Sequence, residues 1–204
     1  KMGVKSGLVN QPNVSHFRLG AHLLLAFFLI GYIYWIQLCL KNRFKLVRKF
    51  SINVLCSHIN CLFFLYIAQI IYGAFVAGTK SGHLWNTFPL MEGQLIPNGL
   101  FSLNPLHLNF FNNMKMIQFI HRVLGTFLMF YSMFFYFKSR NETYSYYTRF
   151  LFIALLIQFY IGITTLLLRV PIFMAITHQI IAVIILFILI KIKFLIVSRK
   201  PINI

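Results

Sequence analysis

The sequence predicts an all-α integral membrane protein with five membrane-spanning helices, and three observations carry that prediction. The 204 residues are 59% hydrophobic and only 10% charged, too apolar to cover a soluble domain of this size with polar surface. Five apolar runs, residues 19–40, 59–79, 116–137, 150–168 and 170–190, are each long enough to cross a bilayer. These runs are continuous rather than alternating in polarity, which argues for helices and against barrel strands.

The formal charge of +17 invites a nucleic-acid reading, but its placement argues against one. Lys41, Arg43, Lys45, Arg48 and Lys49 follow the first run. Lys138, Arg140 and Arg149 flank the turn between the third and fourth runs, and Lys191, Lys193, Arg199 and Lys200 follow the fifth. Lys1, Lys5, Arg18, Lys80, Lys115 and Arg169 fall on the other side. The positive-inside rule then puts the C-terminus in the cytoplasm or matrix and the N-terminus outside. Cys39, Cys56 and Cys61 all fall near the inner side without metal-ligand spacing, so they read as small apolar fillers with no disulfide among them.

Taken in order, residues 1–16 are an outer segment leading to Ser15, which suits an N-cap for the first helix. The chain begins at Lys1 without a signal peptide, and the odd number of spans makes it read as the continuation of a longer protein. His58, near the inner start of the second helix, reads as interfacial. That helix ends in Gly73, Ala74, Ala77 and Gly78, small residues that permit close helix packing. An outer loop over residues 80–115 follows, with Pro89, Pro97 and Pro105 among aromatic residues such as Trp85, Phe88 and Phe101. Its length points to function, and its aromatic content to a cap on the membrane surface rather than disorder. Arg169 closes the fourth helix, and Pro171 restarts the chain into the fifth.

Three histidines stand about equally deep from the outer side: His22, His121 and His178. Each has a small residue one helical turn on, Ala26, Gly125 and Ala182, which would leave room for a flat macrocycle. A faint repeat sets Pro12, His22 and Ala26 against Pro171, His178 and Ala182. Imidazoles facing each other across a helical bundle are a common way to hold a haem iron, and Arg122 beside His121 would offer a cation to haem carboxylates. The alternatives are hydrogen-bonding histidines and an arginine that reaches for the interface. A zinc or di-iron site would want carboxylates or cysteines nearby, yet the only acids are Glu92 and Glu142, both in loops. Their absence from the spans also weighs against an ion-coupled transporter. Glu92, His83 and His107 in the outer loop read as solvated residues, with acid–base or ligand roles as the alternative.

These residues also carry a family resemblance. The segment GAFVAGTKSGHLWNTFPLMEGQLIPNG from Gly73 to Gly99 is followed by QFIHRVLGTF from Gln118 and by LLLRVPIFMAITHQ ending at Gln179. Together with the opening KSGL and VSHFRLGAHLLLAF around His22, they resemble the haem A synthase family of COX15/CtaA type. The resemblance implies eight helices in two pseudo-symmetric four-helix bundles, of which this chain would hold helices four to eight. Residues 1–50 would then be the last helix of the N-terminal, substrate-haem half with its basic inner loop, and residues 51–204 the C-terminal bundle binding cofactor haem b. It further implies that His121 and His178 ligate the haem b iron, with Arg122 as a cofactor contact, and that His22 ligates the iron of the substrate haem. The family's catalytic glutamate is expected in a preceding part, so no residue here inherits that role.

The implied reaction oxidises the C8 methyl of haem O to a formyl group by two successive hydroxylations. Haem O is then the substrate, with haem O synthase and an unnamed electron acceptor as partners, in a bacterial inner membrane or, alternatively, the mitochondrial one. A non-enzymatic bis-histidine cytochrome taking electrons from quinol is the competing reading, and a transporter or assembly factor without haem is a third.

Overall fold

The computed structural model describes residues 15–41 and 54–198. The helices are α1 (His16–Lys41), α2 (Val54–Thr79), α3 (Leu108–Asn112), α4 (Met114–Ser139), α5 (Ser145–Leu167) and α6 (Ile172–Val197). All but the short α3 are long and apolar enough to cross a bilayer, as the apolar runs predict. Helices α2, α4, α5 and α6 form a bundle in which sequential neighbours pack and α6 returns to α2, while α1 lies against α2 and α6.

At the end carrying most of the basic residues, every long helix outruns its apolar run. The physical reason is pairing between helices, which lets polar residues continue the helical ladder. The Lys193 Nζ donates to Asn60 Oδ1 at 2.7 Å and to Cys56 Sγ at 3.1 Å, tying α6 to the first turns of α2. Lys191 Nζ stands 5.8 Å from the Tyr147 ring centroid, and Ser139 Oγ donates to Thr148 Oγ1 at 2.8 Å across the α4–α5 turn. His58 belongs to the same end: its Nδ1 is 2.8 Å from the Tyr131 hydroxyl of α4. Cys39, Cys56 and Cys61 are free.

The tight core sits in this half of the bundle, where Ile59, Leu62, Phe135, Leu151, Ile185, Leu189 and Ile192 are buried. Interior density of this kind leaves no space for a ligand. The Tyr66 hydroxyl donates to the Ala182 carbonyl, joining α2 to α6 at the boundary where packing loosens. Beyond it the helices diverge around a cavity.

The opposite end is closed by residues 80–113, which are more ordered than a plain loop. Ser81–His83 form a 3-10 turn, Met91 and Gln94 pair backbone to backbone, and α3 follows. Two buried asparagines supply what regular structure would otherwise provide. Asn109 Oδ1 accepts from Leu103 N at 2.9 Å while its Nδ2 donates to Leu103 O at 2.8 Å. Asn113 donates to Gly99 O at 2.9 Å, and its Oδ1 caps α4 by accepting from Lys115 N at 3.0 Å and Met116 N at 3.3 Å. The sequence placed the start of α4 near Lys115, and this cap sets it at Met114.

Where α1 crosses α2, Gly78 is required by contact: a Cβ there would lie 2.6 Å from the His16 Cβ and 2.7 Å from its Cα. The small residues at the end of α2 thus work as the sequence suggests, by letting a neighbouring backbone approach.

Candidate functional site

The cavity between the helices and the cap measures about 680 Å3, within the ~300–1,000 Å3 range of cofactor and small-molecule sites. His22, His121 and His178 all line it, although they come from three different helices. His121 is the eighth residue of α4, and His22 and His178 are the seventh of α1 and α6, so the three stand at matching depth. His121 and His178 are half-buried, whereas His22 is exposed at the cavity's edge.

Two helix pairs present their imidazoles in equivalent ways. On α2, a Cβ at Gly73 would lie 3.1 Å from His121 Cε1, and on α5 a Cβ at Gly162 would lie 3.1 Å from His178 Cε1. One turn before each glycine is a glutamine. Gln69 Nε2 stands 3.4 Å from His121 Nε2, and Gln158 Nε2 donates to the His178 carbonyl at 2.9 Å. The units Gln69–Gly73 against His121 and Gln158–Gly162 against His178 are therefore counterparts. The sequence reasoning missed both, though the signal was there: QIIYG at residue 69 and QFYIG at residue 158 are the same Gln-x-x-x-Gly pattern.

The small residues one turn after each histidine, Ala26, Gly125 and Ala182, all line the cavity. Gly125 faces the Gln69 carboxamide, with a built Cβ 3.0 Å from its Nε2, and buried Ala182 packs at the cavity floor under Tyr66. The residues that let the imidazoles sit close to a neighbouring helix are Gly73 and Gly162, on the partner helices.

Buried polar atoms converge here. Gln69 Oε1, Gln118 Oε1, His121 Nδ1, Arg122 Nε, Gln158 Oε1 and His178 Nδ1 are buried without a hydrogen-bond partner, and all six belong to residues lining the cavity. Such atoms are costly inside a protein unless a ligand or water serves them. Among the described residues no group of three or more His, Cys, Asp or Glu could hold a bare metal ion.

Arg122 borders the cavity but its guanidinium is engaged with the cap. Its Nη2 donates to Trp85 O and its Nη1 to Thr87 O, each at 2.7 Å, and Gln118 Nε2 adds a bond to Trp85 O at 3.0 Å. From the other side Asn86 Nδ2 donates to Leu166 O at 2.9 Å, and the Phe88 ring packs against Phe159 with centroids 5.9 Å apart. Residues 85–88 are thus a strap held between α4 and α5 across the top of the cavity.

Glu92 lies apart from the cavity lining. Its carboxylate pairs with Lys115 Nζ at 2.7 Å and accepts from Trp85 Nε1 at 2.8 Å. The hydrogen bond from Lys115, with that from Trp85, holds its carboxyl below the usual glutamate range. It works as a tether of the cap. His83 borders the cavity, while His107 is exposed at the start of α3.

Fold and site together define a multi-pass membrane protein whose helical bundle surrounds a largely apolar cavity bordered by imidazoles from facing helix pairs. Residues 1–190 match the family model COX15-CtaA, described as cytochrome oxidase assembly protein, and the chain belongs to that family. It is 40% identical over 176 residues to the Heme A synthase of Wolbachia pipientis subsp. Culex pipiens, covering 86% of this chain and 52% of that protein. It is 41% identical over 180 residues to the Heme A synthase of Wolbachia pipientis wMel, covering 87% and 50% respectively. The Heme A synthase of Nitrosospira multiformis is 41% identical over 181 residues, covering 86% and 51%. The chain spans about half the length of the curated relatives it matches. Comparison with solved structures found no significant match.

Proposed function

We propose that this chain is the haem b-holding part of a haem A synthase, in which His121 and His178 would hold the cofactor iron. The residues fit that group: two imidazoles stand on equivalent helix pairs, around a cavity of about 680 Å3. The carrying observation is that six buried, unpartnered polar atoms, one imidazole Nδ1 from each histidine among them, all belong to its lining. A bis-imidazole haem supplies one-electron transfer chemistry. The protein's part is to hold the imidazoles, keep water out with the strap at residues 85–88, and place the charge of Arg122, anchored to that strap, at the cap end.

On this reading the substrate is haem O, whose C8 methyl is hydroxylated twice, with the electrons passed on to an acceptor, to a geminal diol that loses water to leave the formyl group of haem A. His22 is the substrate-side ligand, the catalytic glutamate belongs to the family's N-terminal half, and haem O synthase is the natural supplier. The basic end of the bundle faces the cytoplasm of a bacterial inner membrane, in line with the positive-inside rule. Residues 51–204 form the cofactor half, and α1 belongs to the substrate half.

The test is to express the full-length gene in cells that make haem O, then extract and separate the haems. Haem A that appears only with the gene supports the reading. Extra haem b with haem O unchanged would replace it with the non-enzymatic cytochrome.

A further inference from the structure

Both Nη atoms of Arg122 are bonded to strap carbonyls, which holds its guanidinium at the strap, and two further nitrogen donors stand at the cap end of the cavity. Lys80 and His83 border the cavity there, both exposed. Neither side chain has a hydrogen bond or ion pair among the described residues. The chain offers them no acid: of its two carboxylates, Glu92 is paired with Lys115, and Glu142 lies in the α4–α5 turn at the far end of the bundle. Lys80 also follows directly on α2 with φ 57°, a left-handed conformation that costs a lysine more than a glycine. That backbone begins the 3-10 turn that carries His83, so both donors are set at one rim of the cavity.

We propose that Lys80 and His83 form the anion-binding end of this cavity and hold the carboxylates of a ligand whose apolar body lies among the helices. The inference rests on the haem reading, in which those carboxylates are the two propionates. Lysine suits the role as a point charge and histidine as a ring N–H donor. Arg122 acts indirectly, by fixing the strap beside them.

The experiment uses the purified full-length protein, titrated with iron protoporphyrin IX and with its dimethyl ester, which lacks the charges and keeps the macrocycle. The unaltered protein should bind the diacid at least about tenfold more tightly, the scale of one charge-assisted hydrogen bond. Lys80→Gln and His83→Gln should each shrink that preference by about threefold to tenfold and leave ester binding unchanged, with Lys80→Arg restoring it. Arg122→Gln should weaken both porphyrins alike. Equal binding of diacid and ester by the unaltered protein would overturn the proposal, as would equal weakening of both ligands in the Lys80 and His83 variants. Failure of both porphyrins to give a bis-imidazole spectrum would instead remove the haem reading, and this inference with it.

Discussion

Gly73→Ala separates the site from the fold. The new Cβ would stand 3.1 Å from His121 Cε1 and 3.7 Å from its Nδ1, so the imidazole has to move by a few tenths of an ångström. Within α2 the substitution gains about 1 kcal/mol of helix propensity, while overpacking costs ~1–3 kcal/mol, so net stability should change by no more than about 2 kcal/mol. The ligand feels it more. Disturbing the groups that orient a metal-bound histidine typically costs about 10–100-fold in affinity, and that loss is expected for haem. Gly162→Ala should do the same through His178, because its Cβ would meet that ring at the same 3.1 Å. Thermal unfolding measures the first quantity and Soret titration of the full-length protein the second. Unchanged haem affinity and spectrum in both variants would show that these rings are not the ligands.

Other positions test the surrounding frame. Gly78→Ala should destabilise the packing of α1 on α2 by at least ~1–3 kcal/mol, because the new Cβ would meet the His16 backbone, a movement no rotamer can absorb. Protease resistance of α1 reports it. Arg122→Gln removes two charged donors worth ~1.5–3 kcal/mol each from the strap, so hydrogen exchange at residues 85–88 should rise sharply. Glu92 has a lowered pKa in the folded protein, so its tether is fully present above the usual glutamate value of about 4.3 and is lost as pH falls through the lower folded value. Trp85 fluorescence should change in that acid window, and Glu92→Gln should abolish the transition.

The bundle was legible in the sequence because lipid imposes long apolar runs, and each of the five runs became a helix. Helix ends were less legible. The first turn of α2, from Val54, precedes the apolar run and is met by Lys193 of α6 at Cys56, a long-range pairing no local pattern shows. The depth of His22, His121 and His178 followed from counting, but their neighbours did not. Gly73 read as an ordinary packing glycine and Gly162 was not singled out, because their roles appear only where α2 meets α4 and α5 meets α6. Gln69 and Gln158 drew no notice because a glutamine in a long helix signals nothing without its partner. In the cap the aromatic content was readable, whereas the asparagine scaffold of Asn109 and Asn113 depends on three-dimensional closure.

The most direct test of the central claim is the spectrum of the purified full-length protein carrying His121→Ala or His178→Ala, read by optical absorption and electron paramagnetic resonance. The unaltered protein should show a low-spin b-type haem with two imidazole ligands, and each substitution should abolish that low-spin signal. A low-spin haem b that survives intact in either variant would contradict the assignment of these two histidines.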